Sequence, residues 1–455
     1  VNINEINKLF FIGIGGIGMS SLARYFNSRG KDVVGYDKTE TPLTKELCDE
    51  NISVHFADDV ALIPASFTKE NTLVIYTPAI PGDHSQLNHF INNGYRVIKR
   101  AEALGEITKQ HTTLAVAGTH GKTTTSTLLA HILLQTNEKC TAFLGGISSN
   151  YNTNYIEHTQ SNNVVVEADE FDRSFLKLSP THAIITSTDA DHLDIYGDKT
   201  SIEKSFNDFS NLVRETLVVK KGISISKQHI SYSIVDSTAN YFAKNIRIEN
   251  HHYVFDAITP SGELKNIVCG LPGRHNVENA LAALALCLEI GVDAEIIVSA
   301  IASFKGVKRR FEYQINEKNC VYIDDYAHHP EELNAFISSV KELYPNDKIT
   351  GVFQPHLYSR TKDFAEGFGK SLSLLDKLYL LPIYPARELP MEGITSEWLL
   401  TLVTQNNKVH CQKQELLNHL DNDAPKVLLT MGAGDIDQLV EPIKKHLLNQ
   451  IKHVA

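Results

Sequence analysis

Ala117-Gly118-Thr119-His120-Gly121-Lys122-Thr123-Thr124-Thr125 decides how the middle of this chain folds. The stretch follows an apolar run, Leu114-Ala115-Val116, and leads into the helical pattern Ser126-Thr127-Leu128-Leu129-Ala130-His131-Ile132-Leu133-Leu134. Strand, Gly-Lys-Thr loop and helix together form the arrangement that holds a nucleoside triphosphate. The backbone N–H groups of such a loop point at the phosphates, and the helix N-terminus adds its positive end. Lys122 has the reach for the β- and γ-phosphates, and the Thr123 hydroxyl suits Mg²⁺. Val116 stands where the usual pattern carries its first Gly. The other reading of these residues is a Gly-rich turn that only starts a helix.

Outward from this loop, further strands and turns alternate. Lys8-Leu9-Phe10-Phe11-Ile12-Gly13-Ile14 reads as a buried strand ending in the glycine turn Gly13-Ile14-Gly15-Gly16-Ile17-Gly18-Met19-Ser20, then a helix through Ser21-Leu22-Ala23-Arg24-Tyr25-Phe26. A second strand, Asp32-Val33-Val34-Gly35-Tyr36, ends at Asp37. Gly turn plus acid about 20 residues on is the dinucleotide-type fingerprint. It places a diphosphate on a helix N-terminus; a tight turn without a ligand is the alternative. Two phosphate-cradling turns in one chain imply two phosphorylated ligands, which an ordinary NAD-dependent oxidoreductase does not use. Strands are expected at 71–76, 95–98, 163–167 and 182–186, short alternating strands of a small antiparallel insertion between about 217 and 270, and a helix over 277–286. A last unit begins near Tyr313, with strands at 321–323, 349–353 and 426–430 and a hinge at Lys305 to Arg310. The expected fold class is α/β, with a Rossmann-like first domain, a P-loop central domain and a Rossmann-like last domain.

The composition agrees. The 455 residues suffice for about three domains. A net charge of −11 argues against a nucleic-acid surface. None of the six cysteines forms a C-x-x-C pair, which fits a reducing compartment. No stretch approaches the ~20 apolar residues of a membrane span, and no signal pattern opens the sequence, so a cytoplasmic protein is expected. There is no internal repeat and no low-complexity tract.

Other clusters follow strands. Glu167-Ala168-Asp169-Glu170 sits where carboxylates face the Lys122 loop, and Glu167 with Thr123 suits a hard metal ion; a solvated acidic loop is the alternative. Asp189-Ala190-Asp191-His192 lies past another strand, and His192 is either a metal or phosphate ligand or a structural histidine. In Gly273-Arg274-His275-Asn276-x-x-Asn279 the two Asn share a helix face and can meet an adenine edge or cap the helix. Asp324-Asp325-Tyr326-Ala327-His328-His329-Pro330 and Gln354-Pro355-His356-Leu357-Tyr358-Ser359-Arg360-Thr361 are turns after strands of one domain, and Arg suits a carboxylate.

These motifs, in this order over essentially the whole chain, resemble the Mur ligases of peptidoglycan synthesis, and within them the alanine-adding members. Arg309-Arg310-Phe311 belongs to the same series. The resemblance implies three domains: 1–105 for the UDP-sugar, 106–312 for ATP and 313–455 for the amino acid, the last closing over the site. It implies an ATP- and Mg²⁺-dependent joining of L-alanine to UDP-N-acetylmuramate, by a monomer or homodimer. Gly13, Gly15, Gly16, Ile17, Gly18, Met19, Ser20 and Asp37 would hold the UDP-sugar. Gly118, Thr119, His120, Gly121, Lys122, Thr123, Thr124, His275, Asn276, Asn279, Arg310 and Asp325 would hold ATP. Thr123, Glu167 and His192 would hold the metal, and His328, His356 and Arg360 the amino acid. Lys122, Arg310, His328 and His356 would be the catalytic residues. Two departures stand out. Leu357 replaces the Arg of the H-R-Y-T-R-T loop common in alanine-adding members, and Asn207, with Lys204 nearby, stands where some relatives carry a carbamylated Lys. A relative that adds a preformed tripeptide to the same sugar is the alternative within the family.

Overall fold

The computed structural model describes residues 6–189, 199–386 and 388–454. It holds three sheets. The first is parallel, in the order β3 (Ser53–His55), β2 (Asp32–Tyr36), β1 (Lys8–Ile12), β4 (Thr72–Tyr76), β5 (Arg96–Lys99). The run Leu9-Phe10-Phe11-Ile12 is apolar throughout because both faces of β1 are covered. Leu9 and Phe11 join Leu22 and Phe26 of the helix Ile17–Ser28 in one core. Phe10 and Ile12 join Phe67, Leu87 and Phe90 in another. Strand order reverses beside β1, so the glycine turn after it lies where open α/β sheets bind ligands.

The central sheet has ten strands: β6 (Thr112–Ala117), β7 (Thr141–Ser148), β8 (Thr153–Ile156), β9 (Asn163–Ala168), β10 (His182–Ile185), β11 (Leu217–Lys220), β12 (Ile230–Ser233), β13 (Tyr241–Glu249), β14 (His252–Thr259) and β15 (Gly262–Cys269). Their order is 15-14-13-12-11-10-6-9-7-8. β6 pairs in parallel with both β9 and β10, so the Lys122 loop opens between the carboxyl ends of its two neighbours. β13, β14 and β15 neighbour each other across two-residue turns, a connection only antiparallel strands allow. These strands extend the main sheet, because β12 and β13 pair in parallel with Tyr232 opposite Tyr241.

The third sheet runs β16 (Glu312–Glu317), β17 (Cys320–Asp325), β21 (Val427–Met431), β18 (Ile349–Phe353), β19 (Lys377–Leu380), β20 (Lys408–His410). Only the β16–β17 pair is antiparallel. The turns after β17, β18 and β21 therefore emerge at one edge.

The chain forms two compact units. The first comprises 1–245, 255–267 and 278–304, with the first sheet and most of the second; the second comprises 246–254, 268–277 and 305–455. Within the first, Leu104 and Ile107 share one core with Phe143, Tyr155 and Phe175, so the first and central sheets are packed together.

Candidate active site

The Lys122 loop is built to leave donors open. Gly118 and Gly121 have φ of +137° and +81°, values that glycine alone adopts without strain. Gly121 starts the helix Lys122–Leu134, four residues earlier than the periodicity suggests, with no side-chain cap and no acid in the first turn. The orphan N–H groups are thus available to phosphate. The loop is braced from behind by the end of β10. The Thr119 N–H donates to the Ser187 carbonyl (3.2 Å), the His120 N–H to Ser187 Oγ (2.8 Å) and Thr186 Oγ1 to the His120 carbonyl (2.5 Å). Thr123 and Thr124 are buried in the first helical turn, and Asn279 lies against Gly121, where an added Cβ would come within 2.6 Å of its Oδ1.

Lys122 Nζ donates to the Gly118 carbonyl (2.7 Å) and to Glu170 Oε1 (2.9 Å). The Lys122 side chain is 13% exposed and that of Glu170 only 1%. Burial pulls the Lys122 pKa down, but Glu170, Glu167 and Asp169 outweigh it and hold the ammonium above its ordinary value. Burial raises the Glu170 carboxyl against the pull of Lys122. Glu170 stands in a motif legible in sequence, yet its role as the lysine's partner was not. Glu167, level with Val116 in the β6–β9 ladder, lies over Gly145, where a Cβ would collide with its carboxylate. Thr123 and Glu167 offer the oxygen donors that Mg²⁺ takes, and so fit that ion. His192 lies outside the described residues.

At the first glycine turn, Gly13 has φ +86° and the helix Ile17–Ser28 starts at Gly16, again with no side-chain cap and no acid in its first turn. Met19 and Ser20 are buried in that turn. Asp37 Oδ2 accepts the Gly15 N–H (2.8 Å) and Oδ1 the Thr39 N–H (3.2 Å), so its carboxylate holds the turn together. A cleft of about 310 Å³ is lined by Gly16, Ile17, Gly18, Arg100, Gly145 and Glu167, among others. It joins the glycine turn to the proposed metal carboxylate within the first unit. Arg100 was not foreseen, because nothing near it in sequence marks it.

In the second unit, Asp324 binds Arg309 Nε (2.9 Å) and Thr430 Oγ1 (2.6 Å), and Arg309 also reaches the Gly432 carbonyl (2.8 Å). Asp325 accepts the N–H groups of Phe311 and Ala327, both at 2.7 Å. Enclosure by protein pushes its carboxyl up to about 7, against the pull of those two N–H groups and Arg310. Tyr326 has Arg310 within 6.0 Å of its ring and His328 at 5.2 Å. His328 and His356 rings are 6.2 Å apart, and His356 stacks on Tyr384 at 5.7 Å. Burial lowers the His328 pKa; Glu332 opposes this, while Arg360 and Arg310 add to it. Tyr326, His328, His356 and Tyr384 are therefore neighbours at one edge of the third sheet. Leu357 sits at φ +69°, with its N–H on the Tyr384 carbonyl (2.9 Å). Asn276 lies inside the first turn of the helix Arg274–Glu289 and donates to the Pro272 carbonyl (2.5 Å), a bracing contact rather than an N-cap. His275 packs beside Gly273, whose φ is +109°.

A P-loop with a buried lysine, a second open glycine turn and a third α/β sheet with histidines and arginines at one edge define a three-domain nucleotide-using α/β enzyme. Comparison narrows the class. Residues 8–112 match the Mur ligase family catalytic domain, 116–287 the Mur ligase middle domain and 309–434 the Mur ligase glutamate ligase domain. The chain is 52% identical over 453 residues to the UDP-N-acetylmuramate–L-alanine ligase of Christiangramia forsetii, covering 99% of both chains. It is 54% identical over 449 residues to that of Flavobacterium psychrophilum, covering 98% of this chain and 99% of the relative. The solved UDP-N-acetylmuramate-alanine ligase of Thermotoga maritima matches with a TM-score of 0.84 at 27% identity, over 98% of this chain and all of the other. A murein peptide ligase from Psychrobacter arcticus shares the fold, with a TM-score of 0.68 at 22% identity over 97% and 98% of the chains. The chain belongs to the Mur ligase family. Among the described residues no helix is long and apolar enough to cross a membrane.

Proposed function

We propose that this chain is an ATP-dependent amide ligase joining L-alanine to the lactyl carboxylate of UDP-N-acetylmuramate. The observation that carries the reading is the cleft that runs from the uncapped first glycine turn to Glu167, in the same unit as the Lys122 loop. It gives one sugar nucleotide a diphosphate seat at one end and a triphosphate partner near the other. The relatives named above act on this substrate pair by name.

A carboxylate and an ammonium form a salt in water, so the acid must be activated. A lactyl carboxylate oxygen attacks the γ-phosphorus, the bond to the β–γ bridging oxygen breaks and ADP leaves. The alanine nitrogen then attacks the acyl carbon, and inorganic phosphate departs. Phosphoryl transfer needs positioning and charge neutralisation above all. Lys122 and Arg310 supply positive charge. Thr123 and Glu167, with His192, would hold Mg²⁺, which supplies charge neutralisation at the phosphates. Gly118 to Thr124 cradle the triphosphate, and His275, Asn276, Asn279 and Asp325 serve the nucleotide. Arg360 binds the alanine carboxylate, and His328 or His356 takes the amine proton, imidazole being a side chain suited to proton transfer. The working division is 1–105 for the UDP-sugar, 106–312 for ATP and 313–455 for the amino acid. The reading is that of a cytoplasmic enzyme acting as a monomer or homodimer. Phosphate release from ATP and UDP-N-acetylmuramate tests the reading. L-alanine should be the preferred amine; turnover with a murein tripeptide and not with L-alanine would replace it by the recycling ligase, and no ADP with any amine would end it.

A further inference from the structure

Arg100 opens the helix Arg100–Thr108 directly after β5, and its side chain runs back across the glycine turn. Its guanidinium lies so close to Gly18 that a Cβ there would meet Nη1, with Cδ and Cζ both at 3.2 Å. Gly18 is in the first turn of the helix Ile17–Ser28, which has neither a side-chain cap nor an acid. A positive group beside the positive end of a helix is an unfavourable pairing. Among the described residues its ion-pair partner is Asp169, whose Oδ2 is 3.3 Å from Nη2, with 38% of that carboxylate side chain exposed. The loop carrying Asp169 has a second tether, Lys99 to Asp172 at 3.0 Å. Arg100 and Gly18 both line the cleft.

An anion seated on the glycine turn would resolve this arrangement. It would face backbone N–H groups on one side and a planar, fork-shaped donor on the other, the geometry that suits a phosphate oxygen pair. We propose that Arg100 binds the diphosphate of the sugar nucleotide, with Asp169 holding the guanidinium when that substrate is absent. The inference rests on the sugar-nucleotide reading above and adds a binding residue to it. Gly18 lacks a side chain because the guanidinium occupies that space.

Calorimetric titration of the full chain with UDP, with UDP-N-acetylmuramate and with ADP tests this, using wild type, Arg100→Lys, Arg100→Ala and Asp169→Asn, each first checked by thermal melting. Arg100→Ala should weaken UDP binding about 10- to 100-fold, the span of a charge-assisted contact. Arg100→Lys should fall between it and wild type, and ADP affinity should hold. In turnover, Arg100→Ala should raise KM for the sugar nucleotide with little change in kcat. Asp169→Asn should bind UDP as tightly as wild type or more so. Unchanged UDP affinity in Arg100→Ala overturns the inference. So does an equal loss in Arg100→Ala and Asp169→Asn, which makes the ion pair a structural brace. A loss for UDP-N-acetylmuramate but not for UDP moves Arg100 to the lactyl carboxylate and also overturns it. Wild type that binds no uridine nucleotide would instead remove the sugar-nucleotide reading itself.

Discussion

Replacing Lys122 by Met separates what this lysine does for folding from what it does for chemistry. Glu170 is 1% exposed, and Lys122 donates to it at 2.9 Å. Removing one partner of such a pair leaves a buried charge, a loss of about 3–5 kcal/mol. The carboxyl is already raised by burial even with the lysine present, so it can escape part of that loss by taking up a proton. A group whose folded pKa lies above its unfolded value supports the fold at low pH and loses that contribution as pH rises through the folded pKa. The deficit of Lys122→Met should therefore be small near pH 5 and grow toward pH 8. Adding Glu170→Gln removes the buried charge, so the double variant should recover to within about 1 kcal/mol of wild type at pH 8. Turnover should not recover. Loss of one preorganised charge at a transferring phosphoryl group costs about 100-fold or more in kcat. Urea unfolding at pH 5, 6.5 and 8 reads the first effect, and phosphate release reads the second. A double variant as unstable as the single one would show that stranded charge is not the cause. Near-wild-type turnover in either would refute the P-loop assignment.

Gly145→Ala forces a methyl group into the Glu167 carboxylate; at unchanged circular dichroism, activity should drop at least about tenfold with a raised Mg²⁺ requirement, and an unaltered Mg²⁺ titration would take Glu167 out of the metal site. His131 is 4% exposed and bonded to Tyr151 and Ser303, and burial lowers its pKa to about 4. Its stabilisation is present above pH ~6.5 and lost as pH falls through about 4, roughly 3 kcal/mol in all; His131→Asn should flatten unfolding midpoints over that range, and an unchanged slope would assign the acid sensitivity elsewhere. Burial also lowers the His328 pKa, so the acid limb of the pH–rate profile should lie below pH 6.5, and His328→Ala should abolish that limb; a limb kept by this variant excludes His328 as the base.

The parts legible in sequence were those written into contiguous residues. Gly121-Lys122-Thr123 announces a loop and a helix start because glycine conformation, lysine reach and helix polarity act over a few positions. The apolar run from Leu9 to Ile12 likewise announces a strand covered on both faces. Less legible was everything supplied across the chain. Glu170 meets Lys122 across 48 positions, and Ser187 holds His120 across 67. No local spacing encodes either contact; the parallel neighbours of β6 create both. The segments from about 217 to 270 read as a small antiparallel insertion because their alternation and turns are local, whereas the parallel pairing of β11 with β12 and of β12 with β13, which makes them part of the main sheet, is not.

Asp37 shows how far a spacing can carry a role. Its position after β2, about 20 residues beyond the glycine turn, is what a dinucleotide fingerprint asks for. Position follows from the fold, because β2 runs parallel to β1 and ends beside the turn. Role follows from which polar groups remain to be satisfied there. Gly15 N–H and Thr39 N–H both point at this carboxylate and use one oxygen each. An ionised carboxylate has about four acceptor sites, so Asp37 can brace the turn and still meet a ligand. At Gly18 an uncapped helix start lies beside a guanidinium held by a partly exposed carboxylate, the setting from which we inferred a diphosphate contact. What each polar group already holds, more than motif spacing, decides which of them a ligand can use.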